Sequence, residues 1–332
     1  MRMALASSVL CLCLILSGCG SYADFSLPKP AAALTTVHYQ WQPRDAPVLT
    51  HGDAGEWDSH DALNPSVVRR GSQYYNFYSG FDGHTWRTGL ATSVDGIAWR
   101  KQGVVLSPEP AAGEGDYIAA NGAALFENGQ FWYWYQAGPQ GTPRLGFAQS
   151  RDAHEWRKSP FPVMDFGPRG SWDERGIADP YVIKIRDYFY VFYLGQDRAR
   201  RQRLGLARSV DGRHWQKLRS NPILEQGAYG SFDEMGLGEP AVWLGSGYYW
   251  MLYTGRDSHE SRRLGMARST DGVHWEKLPD VIRGSQPWDS QVICDPTVEV
   301  LGGQLAVWFG GGDRASPDEN LNGQIGVAVL AQ

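Results

Sequence analysis

LGLARSVDGRHWQK, residues 204–217, occurs in four versions along the chain. The others are GLATSVDGIAWRK from Gly89, LGFAQSRDAHEWRK from Leu145 and LGMARSTDGVHWEK from Leu264. Their serines, Ser93, Ser150, Ser209 and Ser269, follow one another at steps of 57, 59 and 60 residues. A period of this size marks stacked copies of one supersecondary unit. In each copy a small-apolar alternating run leads to Asp-Gly (Asp152-Ala153 in the second) and then to x-x-Trp. Asp-Gly readily supplies positive φ, so the phrase predicts a strand, a tight hairpin turn and a second strand.

Working outward, two more strands precede each hairpin. One is an aromatic run, at residues 74–78, 131–135, 188–193 and 248–253. The other is a short apolar run led by a dipeptide: Asn64-Pro65, Asn121-Gly122, Asp179-Pro180 and Glu239-Pro240. A fifth dipeptide, Asp295-Pro296, leads to strands at residues 305–309 and 325–328, one strand short of a full unit. VHYQWQPRDAPVL, residues 37–49, reads like that missing strand. The expectation is an all-β domain over residues 37–332: a five-bladed β-propeller with four-stranded blades, its ring closed by the N-terminal strand. Closure of that kind leaves no free pair of edges. A WD40-type propeller repeats every ~40–45 residues, so the period here is too long for one.

Composition agrees. Aromatic residues make up 13% of the chain, with 14 Trp, which suits sheets packed face to face around an axis. A net charge of -5 offers no basic field, which argues against nucleic acid as a partner. The first 18 residues read as a lipoprotein signal peptide: Arg2 precedes an apolar stretch, and Leu16-Ser17-Gly18-Cys19 resembles a bacterial lipobox. Cleavage would leave Cys19 to carry lipid and anchor the protein to a membrane. Gly20, in place of Asp, points to the outer membrane by resemblance to the sorting rule of Gram-negative lipoproteins. Residues 19–36, with Pro28 and Pro30, read as a tether. Cys11 and Cys13 leave with the signal and Cys294 stands alone, so neither an intramolecular disulfide nor a Cys/His metal cluster is expected.

In a propeller the first strand of each blade lines the axis. The lead-in dipeptides therefore bring Asn64, Asn121, Asp179, Glu239 and Asp295 to one mouth of the channel. Converging carboxylates repel unless they hold a cation, share protons or do acid/base work. Glycoside hydrolysis uses such a set, one carboxylic acid for the leaving oxygen and one carboxylate to attack or to activate water.

On Ala178-Asp179-Pro180, Gly238-Glu239-Pro240 and the lead-in at Asn64-Pro65, nearly all of the mature chain resembles the five-bladed propeller glycosidases of glycoside hydrolase families 43 and 32. The resemblance implies that Glu239 is the general acid, with a raised pKa, and that Asp179 stabilises the transition state and tunes the acid. It implies a base or nucleophile in the first blade, where this chain has Asn64, which cannot serve. Asp61, three residues earlier, is the candidate base and Asp295 its rival, with Asn64 holding a hydroxyl. Asp58 belongs instead to a second repeated column (Asp58, Asp116, Asp173, Asp233, Asp289) that reads as loop-fixing acceptors. The C-terminal β-sandwich usual in family 32 has no counterpart here, which leans the resemblance toward family 43.

Loops on the side of the mouth carry arginines, at residues 196–203 and 256–263. They suit recognition of an anionic glycan, or they are solvated loops paired with their own acids; the second reading is favoured. Trp86 is a candidate sugar platform or rim packing, and Asn121 and Asp295 are candidate substrate contacts. The expectation is a monomeric glycosidase acting on extracytoplasmic oligo- or polysaccharide. No cofactor is required, though a structural cation near the axis is compatible with the resemblance. The alternative is a non-catalytic glycan-binding surface lipoprotein.

Overall fold

The computed structural model describes residues 21–332 other than Ala33 and Thr36. The signal segment 1–18 and the lipid site Cys19 lie outside the described residues. Among the described residues the chain is all β, with two short 3-10 turns, Pro110–Ala112 and Pro287–Asp289, and no α-helix.

Each sequence repeat becomes an antiparallel meander. In the third, Gly176–Ile185, Tyr188–Gln196, Gln202–Ser209 and Gln216–Leu218 pair in order. The fourth runs likewise from Gly236–Gly245 to Glu276–Ile282, and the second from Ile118–Glu127 to Arg157–Lys158. The first opens with two short strands, Asp61–Leu63 and Val67–Arg70, both laid against Gln73–Phe81. In the last repeat Gln40–Pro43 from the N-terminal end pairs antiparallel with Gln324–Ala331. Hydrogen bonding divides the strands into one sheet of 13 and one of 9, and neither closes on itself. The first and last repeats meet through side chains: Tyr74, Ala91, Trp308 and Val327 share one core cluster, and Trp308 Nε1 donates to Gly96 O at 2.8 Å.

The aromatic runs form the packing between repeats. Trp132, Trp134, Tyr190, Tyr249 and Trp250 are buried, as the sequence predicts. At ~150–250 Å² of buried surface and ~25 cal/mol/Å², each such ring contributes on the order of 4 kcal/mol. The Leu-Gly of the repeated phrase makes room for another ring. A Cβ on Gly205 would lie 2.4 Å from Trp172, the aromatic that precedes Asp173.

The Asp-Gly turn is longer than the two-residue hairpin expected. Strand Gln202–Ser209 ends six residues before Gln216–Leu218 begins. Asp211 Oδ1 accepts the N–H groups of Arg213 and His214 at 2.8 and 2.9 Å, and Ser209 Oγ accepts that of Gly212 at 2.9 Å. Serine and aspartate thus build a side-chain-capped loop in place of a ladder-closing turn. Ser209 pairs with Phe189, at the strand end remote from Asp179, so the hairpins do face away from the lead-in residues.

Of the stretch read as a tether, residues 22–28 are laid against the domain. Tyr22–Ala23 adds in parallel to Gln216–Leu218, Leu27 is 1% exposed in a core cluster, and Pro28 O accepts the Tyr249 hydroxyl at 2.6 Å.

Candidate active site

Every first strand is interrupted at its lead-in residue. Register shifts fall between Ala120 and Ala123, Ala178 and Tyr181, Gly238 and Ala241, and Cys294 and Thr297. Asn64, Asn121, Asp179, Glu239 and Asp295 all have left-handed backbone, at φ 47°, 48°, 47°, 51° and 52°. None is glycine, and each such residue costs about 1–3 kcal/mol. A β-bulge leaves the extra residue out of the ladder and re-aims its side chain, and proline, lacking an N–H, is tolerated there. That strain points one polar side chain per repeat at a common cavity, whose lining also includes Ser66, Tyr181 and Thr297.

The carboxyl groups in this cavity are coupled. Asp295, 5% exposed, is pushed far above the usual carboxylate range by burial and then by the Glu239 carboxylate beside it. Burial and the same Glu239 charge raise Asp179 to about 8, against a hydrogen bond from Asn121. Asp179 therefore keeps its proton through neutral pH, and the same two causes favour the neutral form of Asp295. Asp295 N–H donates to Glu239 Oε2 and to Thr254 Oγ1, both at 3.3 Å, and Asp295 Oδ2 accepts the Asn64 N–H and the Cys294 thiol, each at 3.1 Å. Asn121 donates its backbone N–H to Ser79 Oγ at 2.9 Å, while its buried side-chain oxygen has no partner and is open to a hydroxyl donor. Glu239, Cys294 and Asp295 offer ligand atoms within 4.8 Å of one another. The buried guanidinium of Arg262 already faces Glu239 and Asp295, so this set fits proton sharing under one fixed positive charge better than a cation site.

Two sequence-selected residues lie elsewhere. Asp61 is fully buried, and its two oxygens accept the backbone N–H groups of Asn320, Leu321 and Gly323 at 2.7, 2.9 and 2.8 Å. It fixes the connection between the last two strands and, shut away from solvent and outside the cavity lining, is not placed to act as the base. Trp86 is 4% exposed and stacks on Phe81 at 4.8 Å, which removes it as a sugar platform.

The second column is structural, with one correction. In the second repeat its member is Glu114, while Asp116 is exposed. Asp58, Glu114, Asp173 and Asp233 each bind the lysine that ends the repeated phrase: Lys101, Lys158, Lys217 and Lys277. Tyr78, Tyr135 and Tyr253 donate to the first, second and fourth of these.

Most of the mouth-side arginines are taken up by neighbours: Arg201 and Arg203 by Asp197, and Arg263 by Asp257. Arg262 stood in the sequence only as one of the mouth-side arginines, and nothing there set it apart as the one turned toward Glu239 and Asp295. A further signal was its place in one strand-edge column with Trp86 and Gln202, opposite Arg256.

With this geometry in place, likeness to known proteins becomes informative. The model of the glycosyl hydrolases family 32 N-terminal domain matches residues 119–300, more than half of the chain. This chain belongs to that family. An uncharacterized protein of Mycobacterium tuberculosis is 26% identical over 234 residues, 64% of this chain and 75% of that protein. A 1,2-beta-oligomannan phosphorylase of Thermoanaerobacter is 34% identical over 83 residues, 23% of this chain and 27% of that one. Among solved structures, a glycosyl hydrolase from Bacteroides ovatus superposes with TM-score 0.72 at 16% identity, over 91% of this chain and 96% of that one. A thermostable family-43 glycoside hydrolase gives 0.65 at 17% identity, over 82% and 90%. At these identities the structures show a shared fold. The resemblance to propeller glycosidases therefore holds, while the leaning toward family 43 over family 32 gains no support.

Proposed function

We propose that this family 32 chain is a glycosidase that hydrolyses O-glycosyl bonds of oligo- or polysaccharide outside the cytoplasmic membrane. The observation that carries this is the convergence of Asp179, Glu239 and Asp295, from three separate strained bulges, on one cavity. The scaffold we infer is a five-bladed propeller, each blade a four-stranded meander, with Gln40–Pro43 as the last strand of the final blade; the strand pairing and the Trp308–Gly96 contact support this. In the reaction Glu239 passes a proton to the leaving oxygen. Protonated Asp179 and Asp295 restock that proton and hold the sugar, with Asn64 and the open oxygen of Asn121 binding hydroxyls. The engaged arginines favour a neutral sugar over an anionic one. Cys19 carries lipid and holds a monomer at the outer membrane. No helix among the described residues is long and apolar enough to cross a membrane.

Asn64, where the family pattern has its base, favours a second reading: glycan binding without cleavage. A glycan panel separates the two. It should include β-1,2-linked mannosides, because a relative is named for oligomannan of that linkage. Release of reducing sugar from at least one glycan is expected of soluble protein lacking the lipid site. Binding with no release across the panel would establish the second reading.

A further inference from the structure

Hydrolysis needs a carboxylate base that the axial cavity does not supply. Asn64 does not titrate, Asp61 spends both oxygens on backbone amides, and Asp295 is buried with its Oδ2 taken by the Asn64 N–H and the Cys294 thiol. The connection at residues 313–323, between Gln304–Gly312 and Gln324–Ala331, offers one.

This connection belongs to the last repeat but is anchored on three others. On the fourth repeat, Arg262 Nη2 donates to Ser316 O and Pro317 O at 3.2 and 2.7 Å, and Arg256 Nη1 donates to Pro317 O at 3.3 Å. On the second, the Tyr117 hydroxyl donates to Glu319 Oε2 at 2.5 Å. On the first, Asp61 grips the amides of residues 320, 321 and 323. A loop tied to the second and fourth repeats while rooted in the fifth crosses the mouth between them. Asp318 is the residue between the two anchors, Pro317 and Glu319. Its side chain is exposed, and no hydrogen bond or ion pair among the described residues occupies its carboxylate. Its charge reaches Asp179 of the third repeat, Arg262 and Tyr117.

We propose that Asp318 is the general base, acting on a water above the axial cavity; this rests on the glycosidase reading. Asp318 takes one proton from a water molecule as the water oxygen bonds to the anomeric carbon. The bond from that carbon to the leaving oxygen breaks, and the leaving oxygen takes the proton passed by Glu239. Glycoside and water give two hydroxyl products; Asp318 returns its proton to solvent, and Glu239 regains one from Asp179 and Asp295, which recover theirs from solvent. Asp61, Arg256, Arg262 and Tyr117 are then positioning residues that hold the base in place.

The test is Asp318→Ala on the glycosyl fluoride of a sugar the wild type cleaves, in phosphate-free buffer with and without azide. Fluoride departs with little protonation, so the rate reports on the base. The expected result is a 10²–10⁴-fold fall in kcat, the range general-base catalysis contributes, with an unchanged melting temperature. Azide should restore turnover and appear in the product as a glycosyl azide. Turnover within about threefold of wild type would overturn the proposal and leave the glycosidase reading standing. So would turnover that appears only when inorganic phosphate is added back and that yields a sugar phosphate. A wild type that cleaves no glycan and no fluoride would overturn both.

Discussion

Asp179 shows how far a single residue can be read from sequence. Its place in Ala178-Asp179-Pro180 was enough to put it at the mouth, because the dipeptide recurs at the same point of each repeat. Its protonation was not legible, since that depends on burial and on Glu239, 60 residues away in sequence. Asp61 is the converse. Proximity to Asn64 made it a candidate base, but its hydrogen-bond partners lie about 260 positions later and could not be inferred. The raised Asp179 pKa has a consequence for stability. Between the ordinary value of 3.8 and about 8, the folded chain holds a proton that the unfolded chain has released. Stability from the neutral group is full below about pH 4 and is lost as the pH rises to about 8. Melting curves of Asp179→Asn and wild type should therefore diverge in favour of the variant from pH 4 to 8 and run parallel above. A difference that shrinks with pH would show that Asp179 is charged in the folded state. Hydrolysis should hold up to neutral pH and fall as the pH rises through about 8, where the folded chain loses the proton that Asp179 supplies.

At the scale of strands and turns, the repeated phrase fixed the register of every meander, and register in turn exposed the lead-in column. Two details escaped it. The turn is opened by side-chain acceptors, a local competition with the ladder that the Asp-Gly signal does not reveal. The second column shifts from Asp116 to Glu114, because a longer side chain two residues earlier reaches the same tyrosine and lysine. The terminal lysine of the phrase has a physical reason as well. Lys217 meets fully buried Asp173 at 2.5 Å, with its own side chain 7% exposed. Removing one partner of a buried pair leaves an uncompensated charge and costs about 3–5 kcal/mol. Urea denaturation of Lys217→Ala should show a loss of that size, and the pair Lys217→Met with Asp173→Asn should recover much of it. A loss under about 1 kcal/mol would mean that the pair is solvated.

For the whole molecule, the missing strand of the last repeat was legible because the repeat count ended one strand short. The packing of residues 22–28 was not, since the Pro- and Ala-rich stretch that follows reads as a tether and gives no sign of it. Gln40–Pro43 brings Trp41 onto Phe309 at 5.1 Å and, just before it, Tyr39 onto Trp250 at 4.9 Å. Both rings are half-buried, and loss of the two together is expected to cost about 3–5 kcal/mol, the size of one fully buried aromatic. Truncation to residue 44 should therefore lower the melting temperature by on the order of 10 °C and expose an edge prone to aggregation. An equally stable, monodisperse truncated protein would show that this strand does not complete the domain. Function likewise belongs to the assembled molecule, since the axial carboxylates come together only when the repeats are arrayed. The most direct measurement is product release by Glu239→Gln beside wild type, on a glycan the wild type cleaves, with binding of that glycan measured on both. The expected result is at least a 10²-fold loss of release with binding retained, the size of a lost proton-transfer group. Release unchanged in Glu239→Gln would contradict catalysis at the axial cavity.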